Sequence, residues 1–192
     1  WGDYDGDGDL DLYVFNNSAA NNLFANGGSG TFTDVAAVLG VDDASAGEDV
    51  AFVDYDNDGD EDIYISNINV PNRLYLNDGA GHFSEVGAAA GVADLGDARG
   101  VSFGDMDGDG DLDMFHALNG GVSNLLYKNE GNSNYFIEVV FSGAASSTVS
   151  GPTVGGSNID GIGAVVKAWN GGSYQRKDVS GGSGYQSQPS LP

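Results

Sequence analysis

Aspartate recurs at every second position in the stretch DYDGDGDLD, which begins at Asp3 and runs directly into apolar residues. Five carboxylates so close together repel one another, and a dense acidic run with no counter-charge is typically solvated and disordered. A hard cation such as Ca²⁺ removes this conflict, because it takes about six to eight oxygen ligands from a loop that presents alternate residues to it. The spacing therefore predicts a calcium-binding loop.

The same loop occurs three times at a constant spacing. Loop 1 (residues 3–11), loop 2 (residues 54–62) and loop 3 (residues 105–113) begin 51 residues apart. Counting the first aspartate as position 1, each loop has carboxylates at positions 1, 3, 5, 7 and 9 and glycine at position 6, which permits a sharp turn. The predicted metal ligands are Asp3, Asp5, Asp7, Asp9 and Asp11 in loop 1, Asp54, Asp56, Asp58, Asp60 and Asp62 in loop 2, and Asp105, Asp107, Asp109, Asp111 and Asp113 in loop 3.

The end of each loop differs from that of an EF-hand. Position 12, where an EF-hand has a bidentate glutamate, is Val14, Ile65 or His116 here. We therefore expect position 9 to be the last side-chain ligand, and position 7 to bind through its main-chain carbonyl with its side chain facing solvent. Ordinary polar turns also favour Asp, Asn and Gly, but three loops in register favour calcium.

Composition limits the partners of the chain. Acidic residues outnumber basic ones by 29 to 6, and the net charge of −23 makes nucleic acid and anionic membranes unsuitable partners. Fifteen of the 29 acidic residues lie in the three loops. Hydrophobic residues make up 40% of the 192 residues, which is enough to form a core, and we expect no membrane insertion.

The residues between the loops repeat with the same period and predict the elements that position the loops. In the middle unit, β-favouring residues and turn signals predict strands at residues 50–53, 63–66, 73–77 and 82–86. Four strands in about 50 residues are typical of one propeller blade. The alanine-rich segments VAAVLG and VGAAAG are predicted to be connecting turns or a single helical turn. The predicted fold is all-β, with four-stranded β-propeller-type units that form a partial or assembled propeller, followed by a small β module.

The segments FVDYDNDGDEDIY and FGDMDGDGDLDMF resemble the FG-GAP, or VCBS, repeats of integrin-type β-propellers, in which the aspartate loop binds Ca²⁺ inside each blade. This resemblance covers residues 1–131 and implies about three calcium ions, one in each loop. A closed propeller needs about four or more blades. We therefore expect the chain to be a fragment of a longer propeller or to be completed by neighbouring subunits.

The C-terminal segments NYFIEVVFSG, NIDGIGAVVKAW and GGSYQRKDVSGGSGYQSQ resemble the ASPIC/UnbV module, which follows such repeats in bacterial secreted proteins. We predict calcium-binding repeats over residues 1–131 and an ASPIC/UnbV-like β module over residues 132–192 that stops short of the usual length of the module. Its predicted strands are residues 136–141, 164–169 and 174–179.

Little in the sequence favours catalysis. His82 and His116 lie in different units, and the chain has no GxSxG, HExxH, P-loop or dinucleotide motif, so we predict that it is not an enzyme. We expect a protein secreted to the extracellular space or cell surface, with a structural, adhesion or assembly role. Its expected partners are calcium and other protein subunits or a matrix or cell-surface ligand. The alternative is a carbohydrate-binding propeller lectin, which would bind a glycan through Trp169, Tyr174 or Tyr185.

Overall fold

The computed structural model describes residues 1–134 and the backbone of two later strands. Almost all of the regular structure in these residues is β, with a single four-residue helix. In chain order the elements are β1 (Leu12–Val14), β2 (Asn22–Asn26), β3 (Phe32–Asp34), α1 (Ala36–Leu39), β4 (Gly47–Val53), β5 (Asp62–Asn67), β6 (Arg73–Asn77), β7 (Phe83–Glu85), β8 (Ala98–Gly104), β9 (Asp113–Leu118), β10 (Leu125–Tyr127), β11 (Val165–Trp169) and β12 (Tyr174–Asp178).

The repeat units form three antiparallel sheets, each made of strands that follow one another in the chain. Sheet 1 has the order β1-β2-β3, sheet 2 the order β4-β5-β6-β7 and sheet 3 the order β8-β9-β10, while β11 pairs with β12. In sheet 1 an isolated bridge between Gly2 and Asp11 takes the place where sheets 2 and 3 have a full first strand. The all-β fold class is confirmed, and closure into a propeller stays a prediction.

The predicted strands of the middle unit all form. The prediction for β6 is correct at both ends, β4 and β5 are longer than expected, and β7 is shorter. The first alanine-rich segment forms the single helical turn α1, which is followed by Gly40 with φ 72°, and the second forms turns. Of the predicted C-terminal strands, residues 136–141 lie outside the described residues, and the other two correspond to β11 and β12.

The core lies between adjacent sheets and is built by the two-residue alternation of the strands. Ile63 and Ile65 of β5 join the cluster that contains Tyr13 of sheet 1. Tyr64, between them in the sequence, faces the other way and packs with Met114 of sheet 3. All six residues of β5 are buried, since sheet 2 is covered on both faces. Each fully buried large apolar side chain contributes about 1.5 to 3 kcal/mol.

Sheet 3 exposes the face that sheets 1 and 2 bury. Tyr13 and Tyr64 are buried under the sheet that follows them, whereas Phe115, 51 residues after Tyr64, is 45% exposed. Leu126 on the paired strand β10 is 60% exposed and lies opposite Phe115. Within residues 1–134, this apolar face has no covering sheet.

Candidate metal centres

The three loops share one backbone course, which the glycine at position 6 makes possible. This glycine has φ between 90° and 100° in all three loops, a conformation that residues with a side chain rarely adopt. Its N–H donates a hydrogen bond of 3.0 to 3.1 Å to the carboxylate at position 1. The turn expected from the sequence is therefore confirmed. The donor and acceptor pairs are Gly8 with Asp3, Gly59 with Asp54, and Gly110 with Asp105.

The aspartate at position 9 is buried and anchors each loop to its own sheet. In loop 2, Asp62 Oδ2 accepts the N–H of Tyr55 and Asp62 Oδ1 accepts the N–H of Asn77, both over 2.8 Å. Asp11 and Asp113 make the same pair of contacts. Burial raises the pKa of Asp62 to about 7 and that of Asp11 to about 6, despite these hydrogen bonds. An ionised carboxylate is therefore costly at this position without a nearby cation.

Three carboxylates converge in each loop, with one oxygen from each lying within 4.8 Å of the others. Positions 1 and 3 belong to the cluster in all three loops. The third member is position 9 in loops 1 and 3 and position 5 in loop 2. The clusters are Asp3, Asp5 and Asp11; Asp54, Asp56 and Asp58; and Asp105, Asp107 and Asp113. The predicted ligand positions 1, 3, 5 and 9 thus all contribute to at least one cluster, and position 7 contributes to none.

Two buried carboxylate oxygens in these clusters accept no hydrogen bond. They are Oδ1 of Asp3 in loop 1 and Oδ1 of Asp56 in loop 2. Desolvation by burial raises the pKa of both carboxyl groups. Buried polar atoms are almost always paired, so each of these oxygens is a position that a bound cation would satisfy. An all-oxygen ligand set of this kind fits Ca²⁺.

The position 7 side chains lie against a glycine shortly after β2, β6 or β10 of their own sheet, where solvent was expected. Asp9, Asp60 and Asp111 are half-buried. A Cβ atom added to Gly79, in the β6–β7 turn, would lie 2.1 Å from Asp60 Oδ2, and the φ of 65° at this residue also favours glycine. The same close approach occurs between Asp9 and Gly28 and between Asp111 and Gly131. A signal in the sequence is the motif Asn-x-Gly at the equivalent place of each unit, at residues 26–28, 77–79 and 129–131.

The asparagine of this motif connects neighbouring loops. Asn77 Nδ2 donates to the carbonyl of Glu61 in loop 2 over 3.1 Å and to the carbonyl of Tyr4 in loop 1 over 2.7 Å. Asn129 Nδ2 likewise donates to the carbonyl of Tyr55 in loop 2 over 2.9 Å. Sequence reasoning missed the contacts with Tyr4 and Tyr55, because they join residues more than 70 positions apart.

His116 is a buried link between sheets 2 and 3. Its Nε2 lies 3.0 Å from Ser66 Oγ, and its Nδ1 lies 2.9 Å from Asp94 Oδ2. A carboxylate only accepts, so Nδ1 donates to Asp94. The order of groups resembles that of a serine hydrolase, but Ser66 and His116 are both 0% exposed, which leaves a substrate no access. His82, by contrast, is exposed and pairs with Asp78 in a turn.

The matches to a known protein family repeat with the same period as the loops. The family model described as FG-GAP-like repeat matches residues 3–65 and again residues 54–116. The chain belongs to the FG-GAP-like repeat family. Each FG-GAP-like match begins at position 1 of one loop and ends beyond the next loop, so the two matches together span loops 1 to 3. A second family model, ASPIC and UnbV, matches residues 154–192, inside the predicted C-terminal module. The suspected combination of repeats and module is thus confirmed.

The relatives of this FG-GAP-like chain carry one name. It is 35% identical over 130 residues to cartilage acidic protein 1 of Mus musculus and of Homo sapiens, which covers 66% of this chain and 19% of each relative. It is 33% identical over 159 residues to cartilage acidic protein 1 of Xenopus tropicalis, covering 78% of this chain and 24% of the relative. The chain therefore spans about a fifth to a quarter of the length of these relatives.

Two further predictions concern membrane insertion and glycan binding by this FG-GAP-like chain. Among the described residues, none of the helices is long and apolar enough to cross a membrane. The aromatic side chains of the lectin alternative, Trp169, Tyr174 and Tyr185, lie outside the described side chains.

Proposed function

We propose that the FG-GAP-like repeats of this chain bind Ca²⁺, one ion in each loop, and that the ions have a structural role. The observation that supports this most strongly is the unpaired buried oxygen in the carboxylate clusters of loops 1 and 2. Positions 1, 3, 5 and 9 would hold the ion through side chains, and position 7 through its carbonyl. The bound ion supplies positive charge that offsets part of the five negative charges of each loop.

The protein's own contribution is to hold the ligands in place before the ion binds. The glycine at position 6 turns the loop, and its N–H orients the carboxylate at position 1. The N–H groups of the flanking residues orient the carboxylate at position 9. Loop 2 joins β4 to β5 of the central sheet, so an ion held there would fix the junction of two core strands.

The wider role that we propose is that of a secreted, extracellular structural or adhesion segment, without catalytic activity, that is assembled with further protein. The exposed face of sheet 3 supports assembly, because the corresponding faces of sheets 1 and 2 are buried by the next sheet. The name of the relatives, cartilage acidic protein 1, favours an extracellular setting. The net charge of −23 favours calcium over nucleic acid or anionic lipid as a partner.

Calorimetric titration of the protein with Ca²⁺ tests the binding directly. We expect saturable binding to more than one site, with dissociation constants of about 10⁻⁴ to 10⁻³ M, the range of extracellular calcium modules. Asp56→Asn removes one charge from the cluster of loop 2 and is expected to abolish one of the binding events. Asp42→Asn removes the same charge at an exposed position outside the loops and should leave the titration unchanged. Absence of any calcium binding in the parent protein would refute the proposal.

A further inference from the structure

Loop 3 contains a positive charge of its own. Lys128, directly after β10, places Nζ 2.9 Å from Asp107 Oδ2 and 3.6 Å from Asp109 Oδ2. These carboxylates occupy positions 3 and 5 of loop 3. Nζ also lies 3.4 Å from Glu130 Oε2. The ammonium group therefore contacts side chains that belong to the predicted ligand set.

The position of this lysine is apolar in the other two units. In every unit the N–H of one asparagine donates to the position 9 carboxylate, which aligns the three sheets residue by residue. The residue before that asparagine is Ala25 in unit 1, Leu76 in unit 2 and Lys128 in unit 3. Neither alanine nor leucine supplies a charge, so among residues 1–134 an ammonium group contacts the acidic cluster in loop 3 alone.

Loop 3 also lacks the unpaired buried carboxylate oxygen that loops 1 and 2 contain. The unpaired buried carboxylate oxygens of the clusters lie in loop 1 and loop 2, and among the residues described by the structure none lies in loop 3. The first three carboxylates of loop 3, Asp105, Asp107 and Asp109, are all exposed. Their negative charge is thus screened by solvent and offset by Lys128, which reduces what a calcium ion gains by binding there.

We propose that Lys128 is a built-in counter-ion of loop 3 and makes loop 3 the weakest of the three calcium sites. This inference rests on the proposed function, since it needs the loops to bind calcium. A calcium ion entering loop 3 must separate the ammonium group from Asp107 and then remain close to it. The chain would consequently fill in two stages, with loops 1 and 2 occupied at lower calcium concentration and loop 3 at higher concentration.

Exchanging Lys128 for an uncharged residue tests the inference. In the full chain, Lys128→Met is expected to tighten the weakest calcium dissociation constant by roughly tenfold, the order expected from removing a unit charge near a divalent ion at the protein surface. Leu76→Lys is expected to weaken binding in loop 2. Lys177→Met removes the same charge outside the repeats and is the matched control, for which we expect no change.

Two readouts assign the effect to a loop. Calorimetry measures the constants, and the amide NMR signals of Gly59 and Gly110 report on loops 2 and 3 separately, because each N–H bonds the position 1 carboxylate of its own loop. In Lys128→Met, the Gly110 signal should respond at a lower calcium concentration than in the parent protein. The calcium concentration at which the Gly59 signal responds should be the same in both proteins. If calcium binds but Lys128→Met leaves the Gly110 titration unchanged, the inference is wrong and the proposed function stands. If the parent protein binds no calcium, the proposed function is wrong, and the inference about Lys128 is wrong with it.

Discussion

Replacing Asp62 by alanine is expected to lower the free energy of unfolding by about 3 to 5 kcal/mol, even without calcium. Both oxygens of this buried carboxylate accept backbone N–H groups, those of Tyr55 and Asn77. Leaving a buried donor without a partner costs about 1 to 3 kcal/mol, and two donors would be affected. Since whole domains are stable by only about 5 to 15 kcal/mol, this single change should leave the protein close to unfolding.

Urea unfolding in the presence of a calcium chelator is the measurement that isolates this effect. Asp58→Ala, at position 5 of the same loop, is the matched control, because it removes the same charge from an exposed side chain. We expect it to change the free energy of unfolding by less than about 1 kcal/mol in chelator, as is usual for surface substitutions. Equal losses in the two variants would contradict the anchoring role of Asp62.

Asn77→Ala is expected to lower the free energy of unfolding by about 2 to 3 kcal/mol. The side chain donates to the carbonyls of Tyr4 and Glu61 and accepts the N–H of Gly79, so one residue holds loop 1, loop 2 and a hairpin turn together. Each hydrogen bond contributes about 0.5 to 1.5 kcal/mol. The contact with Tyr4 joins sheet 2 to sheet 1. The contacts with Glu61 and Gly79, by contrast, lie within unit 2.

Asn26→Ala is the internal control for this bridge. Asn26 makes the corresponding contacts within its own unit, to the carbonyl of Leu10 and the N–H of Gly28. Within the described residues, no earlier loop lies before it to be bridged. We therefore expect Asn26→Ala to cost about 1 kcal/mol less than Asn77→Ala in the same urea experiment. The bridge contributes nothing if both variants lose the same free energy.

Local pattern was enough to predict the loops and most of the strands. The alternating aspartates and the glycine at position 6 belong to a turn whose conformation depends on neighbouring residues. The turn can therefore be predicted from nine residues of sequence. β6 was predicted correctly at both ends because Arg73–Asn77 is bounded by a proline-containing turn and an Asn-x-Gly turn. Such signals act over a few residues and need no knowledge of the fold.

The first half of β4 shows where local pattern fails. Gly47, Glu48 and Asp49 are residue types that strands disfavour, and the prediction began only at residue 50. The segment is nevertheless strand, because it pairs with β5 and the buried Asp49 accepts the N–H of Val101 in the next sheet over 2.9 Å. That partner is 52 residues away.

The contacts between units could not be predicted for the same reason. The pair His116 and Ser66, and the bridge from Asn77 to Tyr4, form only when one sheet packs on another. The sequence period identifies equivalent positions but not which faces meet. The half-buried position of Asp60 follows from the hairpin that folds back on loop 2, which is likewise a tertiary contact.

Thermal unfolding in calcium and in chelator tests the central claim most directly. At 10 mM Ca²⁺, a site with a dissociation constant of about 10⁻⁴ to 10⁻³ M stabilises the folded state by about 1.4 to 2.7 kcal/mol. Two such sites should raise Tm by about 10 °C in a chain of this size. A Tm that is the same in calcium and in chelator would contradict the account, and the aspartate loops would then be ordinary polar turns.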